Sequence, residues 1–336
     1  MVAGAKRHHF VPRMYLERFG NDGQVFVRRR DASTFVSNTI NVAVEVGFYN
    51  LSVASANPKH VEEVLSDVEG ATAEVLRFID DRGEAPPADS AEHGTLAVYL
   101  ALQMTRTPEQ RERTLFTEHL AAYLDGRELT HELVAAHLAE VHLGFTPSDN
   151  EVEGAFTLAS VALRDGTVLT PEFSMEMMLR SVEQLAPRMM QFHWCVEHDR
   201  KHRFATSDTP LVLWRPPTPR DRLEGFGVET CDEIRFPLDP SKQLVLSRSA
   251  RTPSVRVTPD RAASCNQDLA YACHRFVLCH PREASRLERL DLPVERNQSG
   301  VIARSARSST TVRAPGCRPV AWSCRPGSMS SRSRTL

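Results

Sequence analysis

No stretch of this 336-residue chain approaches the roughly 18 consecutive apolar residues that span a bilayer, so a helical membrane protein is not expected. No apolar h-region follows the basic pair Lys6 and Arg7, so the expected location is cytoplasmic rather than secreted. Cysteine is sparse and irregular. The seven cysteines form no C-x-x-C pair, which removes the strongest zinc and dithiol signals. Cys195, Cys231, Cys265, Cys273 and Cys279 read instead as small buried hydrophobes in a reducing compartment. A phosphate-cradling glycine loop and a dinucleotide fingerprint are both missing, as is any internal repeat.

What is present fits an ordinary globular protein, with 41% hydrophobic and 25% charged residues. Charge is unevenly spread. The net charge of −2 contains seven arginines beyond residue 296, where there is no Lys, Asp or Glu, leaving −9 on residues 1–296. An acidic body gains nothing from general attraction to nucleic acid, although a local basic groove stays open. Residues 296–336 are rich in Arg, Ser and Pro and cannot bury enough apolar surface to offset ordering entropy. This segment reads as a disordered tail with the composition of an out-of-frame GC-rich gene. Residues 1–295 read as one domain.

Within that body, residues 24–28 and 34–36 predict a β-hairpin around a polar turn. Helical spacing then takes over: Val61, Val64, Leu65, Val68, Val75, Leu76 and Ile79 recur three and four apart with acids on the other face. Residues 96–104 are apolar nearly all round and predict a central buried helix. Pro108 suits the first turn of another helix running to about Leu124. Further helices are expected over 130–143, 151–163 and 170–185. Near Pro187 the pattern changes to short strands at 191–196, 204–206, 211–214, 233–236 and 243–246, and a final helical stretch is read over 259–279. The predicted class is α+β: an N-terminal β-hairpin, a helical middle, and a mostly antiparallel C-terminal sheet with a final helix.

The opening run His8-His9-Phe10-Val11-Pro12-Arg13-Met14-Tyr15-Leu16-Glu17-Arg18-Phe19 is distinctive. With Gln103-Met104-Thr105-Arg106-Thr107-Pro108, Phe204-Ala205-Thr206-Ser207-Asp208-Thr209-Pro210 and Phe236-Pro237-Leu238-Asp239-Pro240, it resembles a bacterial family known as a domain of unknown function. Members open with His-His/Tyr-Val-Pro-x-x-Tyr-Leu-x-x-Phe, and Asn266 is read as preceding a helix, as that pattern expects. The likeness spans roughly residues 6–290 and implies no activity. A His-Asn-His nuclease site is disfavoured, because the next histidine after His9 is His60.

Two readings of the polar residues follow. In the preferred one, His9 and Asp208 are catalytic, and His8, Gln103, Arg106, Ser207 and Asn266 bind substrate in one pocket. Imidazole titrates near neutrality, and a guanidinium on an apolar helix demands an acceptor such as an anionic ligand. The expected activity is hydrolysis of an anionic or phosphorylated substrate, nucleic acid included, with a divalent metal ion as candidate cofactor. In the alternative the protein is a non-catalytic binding or interaction module. The same residues then form a structural polar network, with Arg106 paired to Glu69 or Asp208.

Overall fold

The computed structural model describes residues 7–49, 60–141, 147, 149–165, 171–216 and 227–293. The tail expected at 296–336 and most of the proline-rich loop after Pro216 lie outside these residues.

The described residues start with β1 (Arg7–His9), the short helix α1 (Arg13–Leu16) and a 3-10 turn (Glu17–Phe19). The predicted hairpin follows as β2 (Gln24–Arg29) and β3 (Thr34–Asn38), paired antiparallel with Phe26 opposite Val36. Next, β4 (Val44–Val46) returns to β1 and places Glu45 opposite His8.

The helical middle comprises α2 (His60–Arg82), α3 (Ala91–Thr105), α4 (Pro108–Thr114), α5 (Phe116–Leu124), α6 (His131–Val141), α7 (Asp149–Asp165) and α8 (Pro171–Met190). Ser90 and Thr107 cap α3 and α4 by accepting the His93 and Gln110 amides, satisfying donors that a helix start leaves unpaired. The single helix expected from Pro108 to Leu124 breaks at Leu115, whose backbone leaves the helical region. Pro187 does not end α8. It sits in the last turn, where the helix loses one amide and continues three residues further.

The strand-rich part holds β5 (His193–His198), β6 (Thr206–Ser207), β7 (Val212–Trp214), β8 (Glu233–Asp239), β9 (Lys242–Ser247) and β10 (Ser254–Arg256). The helix α9 (Pro259–Ala272), β11 (Phe276–Cys279) and α10 (Ala284–Glu288) complete it. The main sheet has the order β10-β5-β9-β8-β7 and is antiparallel except for the β10–β5 pair. A second sheet, β3-β2-β11-β6, joins the N-terminal hairpin to the C-terminal region. Two expectations are corrected here. The final helix stops at Ala272, and Phe276–Cys279 is a fully buried strand between β2 and β6, so Cys273 and Cys279 share no helix. An apolar run of four residues, Phe-Val-Leu-Cys, satisfies a two-sided sheet better than an exposed helix end. Asn266 lies inside α9 rather than before it.

The principal core joins the N-terminal motif, α2, α3, α8 and the inner face of the main sheet. Leu96, Ala97, Tyr99, Leu100 and Ala101 are all fully buried, which explains the all-round apolar character of α3. Each such leucine contributes about 1.5–3 kcal/mol of burial. A smaller core lies among α5, α6 and α7.

Candidate functional site

Pairing with β4 fixes the opening motif. His8 turns inward and is buried, whereas His9 is half-buried. Pro12 pre-sets the chain for α1, whose Tyr15 and Leu16, with Phe19 in the following turn, are wholly enclosed. The motif therefore docks the N-terminus before any chemistry is considered.

The two imidazoles have different freedom. His8 Nδ1 accepts the Tyr49 amide at 3.1 Å, so Nε2 carries the proton and meets Glu62 at 2.7 Å. Both nitrogens are used. His9 Nε2 donates to the Thr39 carbonyl at 3.2 Å, which leaves the lone pair on Nδ1. Burial holds the His9 imidazole below its usual value, while the Thr39 bond and nearby Glu69 oppose that shift.

On α3, Gln103 and Arg106 form one unit. Gln103 donates to the Phe10 carbonyl at 3.2 Å and accepts Arg106 Nε and Nη2 at 3.2 and 2.7 Å. Arg106 Nη1 reaches Glu69 on α2 at 2.8 Å. The Tyr99 ring lies below the guanidinium, and burial pushes the nearby Tyr49 phenol up to about 12. Arg106 is 2% exposed, so its charge is balanced inside the fold rather than offered to solvent.

Asp208 follows β6, and its two oxygens accept the His274 and Arg275 amides at 2.9 and 2.6 Å. Burial raises its carboxyl to about 6 against those two bonds. The neighbouring Ser207 hydroxyl accepts the Thr209 amide at 3.1 Å. Asn266 clamps the strand entry by accepting the Ala205 amide and donating to the Arg203 carbonyl, at 3.0 and 2.7 Å. Together these three residues hold the backbone around β6 and the turn before β11.

A cleft of about 540 Å³ opens between the β1–β4 ribbon and the hairpin sheet. Phe10, Phe35, Val44 and Phe276 give it apolar walls, and Arg29, His274 and Arg275 stand at its polar side. It is adjacent to the residues singled out in the sequence, yet none of His8, His9, Gln103, Arg106, Ser207, Asp208 or Asn266 lines it. Gln103 holds one wall through the Phe10 carbonyl, and Asp208 holds the other through the His274 and Arg275 amides. Arg275 also pairs with Glu45 on β4 at 2.7 Å, which ties the two walls together. Arg29, exposed on β2, stacks over Phe35 at 5.1 Å. No local motif marks Arg29 or Arg275, because their convergence depends on pairing β11 with β2.

Sequence reasoning also missed a buried ionic layer beneath α9. Arg235 on β8 bonds Glu233 at 2.7 Å and Asp268 at 2.6 Å, and lies 4.2 Å from the Trp214 ring centre. Arg251 and Arg261 share Glu197 and Glu233 at its edge. Burial works to raise Glu233, but the surrounding guanidiniums hold it below the usual carboxylate range. Among the described residues, no group of three or more His, Cys, Asp or Glu is assembled to hold a metal ion.

Residues 7–283 match a family model described as a protein of unknown function, DUF4238. No curated protein and no solved structure matches the chain.

Proposed function

The chain belongs to the DUF4238 family, which brings no activity with it, and from the geometry we propose a non-catalytic binding module. Its cleft beside the N-terminal motif takes a small anionic ligand with an apolar portion. The observation that carries this reading is the division of labour around the cleft. His8, Gln103, Arg106, Asp208 and Asn266 spend their hydrogen-bonding groups on holding the fold, while different residues line the opening. A fully paired polar network rigidifies its surroundings and so presets a binding surface. The cleft volume lies within the 300–1,000 Å³ usual for small-molecule sites, and apolar walls with a few polar groups suit an amphipathic anion.

The test is a fluorescence titration with anilinonaphthalene sulfonate, an apolar anion, on the full chain. Saturable binding that is lost in Val44→Trp, with an unchanged melting temperature, supports the reading. Equal binding by Val44→Trp contradicts it.

One observation favours a hydrolase as the second reading: His9 keeps an unprotonated Nδ1 beside the motif. A screen against phosphate esters and nucleic acids decides between the two. Turnover abolished by His9→Ala replaces the binding module with an enzyme.

A further inference from the structure

Three elements end at a second cleft, of about 510 Å³. Arg82 is the last residue of α2, His198 the last of β5 and Arg256 the last of β10, and the register of β10 on β5 sets Arg256 opposite His198. Gly83 ends α2 in the left-handed region at φ +68°, and His198 Nε2 donates to its carbonyl at 2.7 Å. This bond joins the helix end to the sheet. Arg200 and His202 enter the same cleft from the turn after β5.

That turn is built around Asp199. Its carboxylate accepts the Arg203 amide at 2.8 Å, the Lys201 amide at 3.3 Å, and both Nε and Nη2 of Arg203. Burial works to raise this carboxyl, and those bonds outweigh it and hold it low. The negative charge on the cleft's inner wall is therefore compensated, and the backbone carrying Arg200 and His202 is fixed before any ligand arrives.

The arginines here differ from most in the chain. Arg18, Arg106, Arg203, Arg235, Arg261 and Arg275 hold carboxylates, and Arg28, Arg30 and Arg248 hold carbonyls. Among the described residues, the Arg82, Arg200 and Arg256 guanidiniums hold neither; Arg82 rests over the Phe78 ring at 4.7 Å. Against these three cations the lining offers one further carboxylate, the exposed Glu84. Three exposed arginines lining one cleft raise its local positive potential, which favours an anion there.

We propose that this cleft binds a compact oligophosphate through Arg82, Arg200 and Arg256. A planar guanidinium matches phosphate oxygens in pairs, so three of them call for several adjacent phosphoryl groups rather than a single carboxylate. No Phe, Tyr or Trp lines the cleft and Val255 is its one aliphatic side chain, so a large apolar group finds little to pack against. A long nucleic acid would also meet the formal charge of −9 on residues 1–296, whereas a compact ligand feels mainly the local field.

The experiment is calorimetric titration of the full chain with inorganic tripolyphosphate at about 0.1 M salt. Wild type is compared with the double variant Arg200→Gln/Arg256→Gln and with Arg282→Gln, which changes an arginine away from the cleft. The expected result is saturable binding, weakened at least tenfold in the double variant and unchanged in Arg282→Gln. Equal melting temperatures exclude misfolding, since Arg200 and Arg256 are exposed. The proposal is overturned by an absence of saturable heat, by undiminished binding in the double variant, or by tighter binding of single-stranded DNA than of tripolyphosphate. Because the amphipathic anion has its own cleft, neither result depends on the other.

Discussion

The Tyr15 hydroxyl donates to the Pro237 carbonyl across 2.8 Å, joining the opening motif to the middle of β8, 222 positions away. Its single proton is thereby committed, so the Thr206 hydroxyl at 2.7 Å donates to the Tyr15 oxygen. One phenol links α1 to strands of both sheets. Tyr15→Phe keeps the ring against Phe236 but leaves the carbonyl and hydroxyl unpaired. The expected loss is about 1–3 kcal/mol of unfolding free energy in urea. A loss below about 0.5 kcal/mol would remove the hydroxyl from the docking role.

Arg106 acts as a structural cation shared by Gln103 and Glu69. Arg106→Ala leaves a buried amide oxygen and a carboxylate without their partner, and costs about 3–5 kcal/mol. Arg106→Lys offers a point charge in place of a planar fork and is expected to recover only part of that. Urea midpoints for the two variants check both the size and the order.

The pH dependence of Asp208 has a definite sign. Burial holds its folded carboxyl at about 6, above the ordinary 3.8, so the folded chain keeps a proton that the unfolded chain has released. Its contribution to stability therefore falls as pH rises from about 4 to about 6 and is level above that. Asp208→Asn cannot titrate. Relative to wild type, the variant gains up to about 1.4 kcal/mol per pH unit across this window, as measured by urea unfolding at pH 4, 5, 6 and 7. A wild-type-minus-variant difference that stays constant from pH 4 to 7 contradicts the assignment.

Arg235 is enclosed with Glu233 and Asp268, and its removal takes a buried cation from both carboxylates while Glu233 keeps Arg251 and Arg261. Arg235→Met is expected to lower stability by about 3–5 kcal/mol. By contrast, the exposed Arg256→Gln is expected to change it by less than about 0.5 kcal/mol. Thermal melts of the two variants measure the contrast.

How much the sequence reveals depends on whether a signal is local. The α3 helix is legible because its apolar surround follows from one segment, and the β2–β3 hairpin because alternation and a turn lie together. The pairing of Arg106 with Glu69 was also open to reasoning, since a buried guanidinium demands a carboxylate. Long-range pairing is not local. The run Phe276–Cys279 looks helical beside α9, and only its place between β2 and β6 makes it a strand. Both clefts escaped for the same reason: Arg275 lines one with Phe10 and Arg29, and Arg256 lines the other with Arg82, from elements far apart in sequence. The histidine pair attracted attention by chemistry, whereas in the fold His8 is committed to Tyr49 and Glu62.

The central claim is that the motif residues hold the fold while the adjoining cleft binds. Its most direct measurement is anilinonaphthalene sulfonate affinity and urea stability for Arg29→Glu and Arg106→Lys side by side. The account predicts that Arg29→Glu weakens binding at least tenfold with its urea midpoint unchanged, while Arg106→Lys lowers the midpoint and leaves the affinity of the folded chain intact. Weakened binding in Arg106→Lys with unchanged binding in Arg29→Glu would contradict it.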